Sequence, residues 1–257
     1  MFDTYPNGFK QDDRETASPI LAQGPHPVFY VVGVCGDIGH GKDTTADHLV
    51  RDFGFRRVAF ADALKRSCAE ATGIPLGHFY DREEKEVAAS GYGYRKSPRQ
   101  IAQVMGSEGF RELVDPDIWV KRLGIEIEQI RAEGYIGAVV PDVRFGNEAR
   151  WVDSWNDVEG CCGVTWRALR PGYPRSWAQP KSAWRSACDR LTGKGGKGHQ
   201  SEDGISANHI DATLFNVGLD EYRATVFAAT RGMMDSVQAF LDSQTGAPIL
   251  RPYSPID

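Results

Sequence analysis

A glycine-rich string, Gly36-Asp37-Ile38-Gly39-His40-Gly41-Lys42-Asp43-Thr44, lies between an apolar run and a segment of helical pattern, and no other stretch constrains the fold as tightly. The run before it, Val28 to Cys35 (VFYVVGVC), is continuous, apolar and rich in β-branched residues. That pattern belongs to a strand buried on both faces of a parallel sheet, so we expect it at the sheet's centre. From Lys42 to about Phe53 the chain reads as a helix. Strand, glycine turn and helix in this order make a phosphate-binding loop. A triphosphate needs converging backbone N–H groups, which Gly36, Gly39 and Gly41 permit. It also needs a cation, which Lys42 supplies beside the positive end of the helix. His40, Asp43, Thr44 and Thr45 complete the expected nucleotide contacts. Ser or Thr ordinarily follows the lysine directly; here Asp43 intervenes, which moves the expected Mg²⁺ hydroxyl to Thr44 and leaves Asp43 to hold a metal-bound water.

Beyond the loop, strand-like and helix-like segments alternate. Arg57 to Phe60 reads as a short second strand, with a helix starting at Ala61. Ser97-Pro98-Arg99-Gln100 carries a Ser cap and a Pro at the first helical position. A long helix is expected from Asp115-Pro116-Asp117 to about Arg131, strands at Tyr135–Val140, Gly163–Leu169 and Asp211–Asn216, and a closing helix from Asp220 to about Leu241. The fold class expected is therefore α/β, a doubly wound, mostly parallel five-stranded sheet.

A chain of 257 residues, 41% hydrophobic, suits one core with insertions. We divide it into an N-terminal extension (1–27), a main domain (28–241) and a tail (242–257). Within the domain, 72–97 reads as an irregular insertion and 170–200 as a lid-like segment rich in Pro, Gly and basic residues. A net charge of -5 disfavours a wide nucleic-acid footprint. Five cysteines show neither zinc nor disulfide spacing, and no signal peptide or long apolar run is visible, so a soluble cytoplasmic chain is expected.

The string Gly41 to Asp47 (GKDTTAD) closely resembles the phosphate loop of bacteriophage deoxynucleoside monophosphate kinases. Later segments resemble that family in the same order: Arg99 with Gln103 and Gly106, then Trp119-Val120, then Val140-Pro141-Asp142-Val143-Arg144 with Glu148, then Arg170-Pro171-Gly172, His199 with Glu202, and Asp211 with Asn216. The resemblance implies a nucleoside monophosphate kinase fold with an acceptor-binding insertion and a lid, ATP and Mg²⁺ as cofactors, a deoxynucleoside 5'-monophosphate as acceptor, and a homodimer. If the chain is viral, its compartment is the host cytoplasm.

Phosphoryl transfer asks a protein mainly for alignment and positive charge. Lys42, Arg144 and Arg170 are therefore the expected catalytic cations, the last two at the carboxyl ends of strands, where open α/β sheets bind ligands. Asp62, Lys65, Arg99, Gln103, Trp119, Asp142, Arg144 and Glu148 are the expected acceptor-side residues, with Trp119 as a support and Tyr92 and Tyr94 as candidate base contacts. A second reading keeps the same donor but changes the acceptor to a hydroxymethylated pyrimidine in DNA or another small molecule, because Lys181 to Lys197 is basic enough to track a polymer. A nucleotide-dependent switch without turnover is disfavoured by the absence of an Asn-Lys-x-Asp string.

Overall fold

A computed structural model describes residues 28–172 and 205–245. The described residues form two compact units, one of residues 58–135 and one of residues 28–57, 136–172 and 205–245.

The second unit is built on a five-stranded sheet in the order β2-β3-β1-β4-β5, with every pairing parallel. Its strands are β1 (Phe29–Cys35), β2 (Arg56–Arg57), β3 (Gly137–Val140), β4 (Cys161–Leu169) and β5 (Ala212–Phe215). As the apolar run implied, β1 takes the middle position and all seven of its residues are buried. Alternation along β1 divides the work between two faces. Tyr30, Val32 and Val34 join one core with Ala46, Leu49 and Phe53 of α1 (Lys42–Phe53) and Tyr222, Val226 and Met234 of α7 (Leu219–Thr245). On the other face, the Phe29 ring lies 6.1 Å from Trp155, just past α6 (Gly146–Ser154). Val31, Val32 and Val34 are fully buried, and each contributes about 1.5–3 kcal/mol relative to exposure in water.

The expected second strand is shorter than its sequence suggested. Only Arg56 and Arg57 pair, with Ala138 and Val139, and the chain is already helical at Phe60. Phe60 has the β-propensity of a strand residue, but its side chain is 4% exposed as the first residue of a helix, so tertiary burial overrides local preference.

The first unit is helical. It contains α2 (Phe60–Thr72), α3 (Leu76–Tyr80), α4 (Pro98–Gln103) and α5 (Ile118–Ala132), with a π-helical stretch at Val104–Arg111. Cys68, Ile74, Phe79, Ala89 and Ile101 form its own core. Ser97 caps α4 as its sequence implies: Ser97 Oγ accepts from Gln100 N, and the Gln100 side chain accepts from Ser97 N at 3.0 Å. The helical unit takes in more of the chain than the 72–97 segment, within which the structure is α3 followed by single 3₁₀ turns at Glu84–Glu86 and Ser90–Tyr92. No helix among the described residues is long and apolar enough to cross a membrane.

Candidate active site

The loop after β1 bends through left-handed backbone at Gly36 (φ 137°), Gly39 (φ 84°) and Gly41 (φ 110°). Conformation and space both demand glycine at two of them. A Cβ on Gly36 would meet the Ala168 carbonyl oxygen of β4 at 2.4 Å, and one on Gly41 would meet Asn216 Nδ2 at 2.8 Å and the Tyr222 ring at 2.9 Å.

The loop's carbonyls are held by donors. Lys42 Nζ donates to Gly36 O at 2.7 Å and to Asp37 O at 2.8 Å. Asn216 Nδ2 donates to His40 O at 3.2 Å, and Thr45 Oγ1 donates to Gly41 O at 3.1 Å. In a trans peptide the N–H points opposite to the C=O. The N–H groups of Asp37, Ile38, Gly41 and Lys42 are therefore turned away from these donors, beside the N-terminus of α1, where backbone N–H groups favour an anion.

Burial is the main cause that holds the Lys42 ammonium below its ordinary pKa, and the positive charge of Arg144 is the next. Asp43 and Asp37 act in the opposite sense. Lys42 and Arg144 follow the carboxyl ends of the adjacent parallel strands β1 and β3. Arg144 is exposed. Its backbone is fixed by Glu148, which is 1% exposed and whose Oε2 accepts from Arg144 N at 2.7 Å and Phe145 N at 3.1 Å. Glu148, expected on the acceptor side, is the carboxylate that caps α6 and holds the backbone of the loop carrying Arg144. Asp142 is half-buried two residues before Arg144, and Arg170 is exposed directly after β4.

Three of the expected loop residues have side chains turned to other parts of the protein. Thr45 is fully buried, its hydroxyl committed to Gly41 O and, at 2.7 Å, to Tyr222 OH. His40 is 2% exposed, so its side chain faces the interior while its carbonyl meets Asn216. Asp43 is ion-paired with Arg57, which also holds Asp47 at 3.0 Å. The two carboxylates stand four apart on α1, and the β2 guanidinium bridges them. Thr44 lies in the first turn of α1 and is partly exposed.

Asp62, Lys65, Arg99, Gln103 and Trp119 all belong to the helical unit. Tyr80 joins the first two: its hydroxyl donates to Asp62 Oδ1 at 2.6 Å and its ring lies 3.8 Å from Lys65 Nζ. Arg99 and Gln103 are exposed, and Arg99 pairs with Glu86. Trp119 is a support, 6% exposed, with Nε1 donating to Gly106 O at 3.2 Å and its ring edge-on to Phe110. Tyr92 stands edge-on to His78 at 5.6 Å, and Tyr94 OH donates to Thr72 O at 3.0 Å. His199, Glu202 and most of the expected lid lie outside the described residues. Tyr222 escaped the sequence reading because an aromatic residue in the first turn of a closing helix reads as ordinary core.

Sheet order, strand direction and loop together define a P-loop α/β fold. No family model matches the chain. A curated relative from Acanthamoeba polyphaga mimivirus, described as "Putative deoxynucleotide monophosphate kinase", is 26% identical over 130 residues, 48% of this chain and 67% of that protein. Among solved structures, TT1252 from Thermus thermophilus aligns at 17% identity and a TM-score of 0.43, covering 80% of this chain and 98% of that one. Dephospho-CoA kinase from Campylobacter jejuni aligns at 13% identity and a TM-score of 0.39, covering 79% and 96%.

Proposed function

We propose that this chain is an ATP-dependent kinase that converts deoxynucleoside 5'-monophosphates to diphosphates, supplying precursors for a viral genome. The observation that carries the reading is the glycine loop, bent through left-handed backbone at Gly36, Gly39 and Gly41 between a buried strand and a helix N-terminus, with Lys42 opening that helix and Arg144 following the neighbouring strand. The viral relative described as a deoxynucleotide monophosphate kinase supports the choice of acceptor.

A phosphate oxygen of the acceptor attacks the γ-phosphorus of ATP as the bond to the β-phosphate oxygen breaks, giving ADP and the nucleoside diphosphate. Lys42 and the loop N–H groups bind the β and γ phosphates and so orient the donor. Arg144 supplies positive charge where the transferring group gathers negative charge. Arg170 follows β4 in a similar strand-end position and adds a second such charge. Mg²⁺, when bound, neutralises phosphate oxygens; the partly exposed Thr44 hydroxyl fits it better than Asp43, whose carboxylate is held by Arg57. Asp62, Lys65, Arg99 and Gln103 are the acceptor-side residues in this reading.

The test is ADP release measured with each of the four deoxynucleoside monophosphates, dephospho-coenzyme A and duplex DNA as acceptor. The expected result is turnover on at least one monophosphate and none on DNA, with Lys42→Ala slowing it at least about a hundredfold. Equal rates for Lys42→Ala and wild type on every acceptor would remove the kinase reading.

A further inference from the structure

The phosphate loop depends on residues far from it in sequence. Of the four loop carbonyls that meet donors, Lys42 serves two. Of the other two, His40 O is served from the far end of the sheet, and Gly41 O by Thr45 of α1, whose hydroxyl in turn meets the closing helix. Asn216, the first residue past β5, is anchored by its own N–H to Leu169 O at 2.8 Å, and its side-chain amide reaches His40 O across 176 residues of sequence. Tyr222, fully buried in the first turn of α7, contacts Thr45 Oγ1 at 2.7 Å. Because the single Thr45 hydroxyl proton goes to Gly41 O, the Tyr222 hydroxyl must donate to Thr45. A relay thus runs from Tyr222 through Thr45 to the Gly41 carbonyl, and the Tyr222 ring fills the space beside Gly41.

We propose that Asn216 and Tyr222 are positioning residues for the nucleotide, acting through the loop and touching no substrate. The inference rests on reading the loop as a nucleotide site. The His40–Gly41 peptide can flip once Asn216 is lost, which would bring a carbonyl dipole to the anion in place of an N–H; the Gly41 carbonyl also accepts the first backbone bond of α1, from Thr45 N at 2.9 Å, so there the relay tightens a peptide that the helix already holds. Lys42 cannot compensate once its ammonium is engaged by phosphate, so in the liganded protein Asn216 and the Tyr222–Thr45 relay hold the loop.

Two measurements on the full chain separate this role from a merely structural one. The first is hydrogen exchange of the amides of residues 37–42 without nucleotide, in Asn216→Ala, Tyr222→Phe and Thr45→Val. The second is ATP affinity by calorimetry, with the KM for ATP and for the acceptor alongside. The expected result is faster exchange confined to the loop, and ATP binding weakened about three- to tenfold per lost hydrogen bond, with the acceptor KM little changed. Thr45→Ser, which keeps the hydroxyl, should restore both readouts. Tyr222→Phe keeps the buried ring, and it decides the matter if Asn216→Ala fails to fold. Unchanged loop exchange and unchanged ATP affinity in folded Tyr222→Phe and Thr45→Val would overturn the proposal. If wild-type protein binds no ATP but the variants still loosen the loop, the latch stands and the nucleotide reading fails; normal ATP binding with unchanged exchange is the reverse.

Discussion

Lys42 shows how far one side chain's meaning depends on its neighbours. Sequence spacing makes it a phosphate ligand, but in the structure it also bonds two carbonyls of its own loop, and burial together with Arg144 lowers its pKa. Asp43 shows the reverse, since a residue expected beside a metal finds Arg57 first. That pair is largely exposed and is worth under about 1 kcal/mol, so it sets where the carboxylate rests more than how stable the fold is. Asp52, near the end of α1, gives a pH-dependent prediction. A two-point bond from Arg51, Nε to Oδ1 at 2.8 Å and Nη2 to Oδ2 at 3.2 Å, is the main cause that depresses its pKa below the ordinary 3.8. A depressed carboxyl pKa stabilises the folded state above the unfolded value, and that contribution is lost as pH falls through the folded value. Asp52→Asn should therefore cost up to about 1 kcal/mol at pH 7, and the gap from wild type should close only below about pH 4. Urea denaturation at pH 7, 5 and 3 checks this; a gap that closes between pH 7 and 5 would assign the effect to another group.

The placement of α6 depends on atoms that two glycines lack. A Cβ on Gly163 of β4 would lie 1.9 Å from the Val152 carbonyl oxygen, and one on Gly33 of β1 would press on Val143 and Val152 at 3.0 and 3.1 Å. Backbone oxygen cannot yield by changing rotamer, so Gly163→Ala must push α6 off the sheet. We expect a loss of about 3 kcal/mol or more, seen in thermal unfolding, and a weaker Lys42–Arg144 site because α6 carries Glu148. Wild-type stability would show that α6 adjusts freely and does not fix Arg144. The α6 helix was also missing from the sequence reading. Its nine residues, Gly146–Ser154, hold two glycine- or serine-type ends and a charged first turn, and only packing against β4 and the internal cap from Glu148 make them helical. By contrast, α1 was legible from Lys42 to Phe53 because its pattern, its preceding loop and Gly54 after it are all local signals.

On the scale of the whole chain, residues 58–135 are an insertion within the connection from β2 to β3, two strands that pair directly. Each unit has its own core, with no residue shared between the two clusters. Parallel neighbours need a crossover of about a dozen residues or more, so a helical linker of that length can in principle replace the insertion. With residues 60–134 so replaced, the chain is expected to keep calorimetric ATP binding and to lose transfer to every acceptor. Transfer that persisted would place the acceptor residues in the sheet unit alone. The central strand, the glycine loop and the first helix were written in the sequence by itself, because burial on both faces, left-handed turns and helix ends are each signalled by adjacent residues. Tertiary structure alone decided that Glu148 braces the backbone at Arg144, that Arg57 claims Asp43, and that Asn216 and Tyr222 hold a loop some 176 and 177 residues away. Those outcomes depend on which strands become neighbours, and beyond the central place of β1 that order is set by the burial of whole faces rather than by adjacent residues.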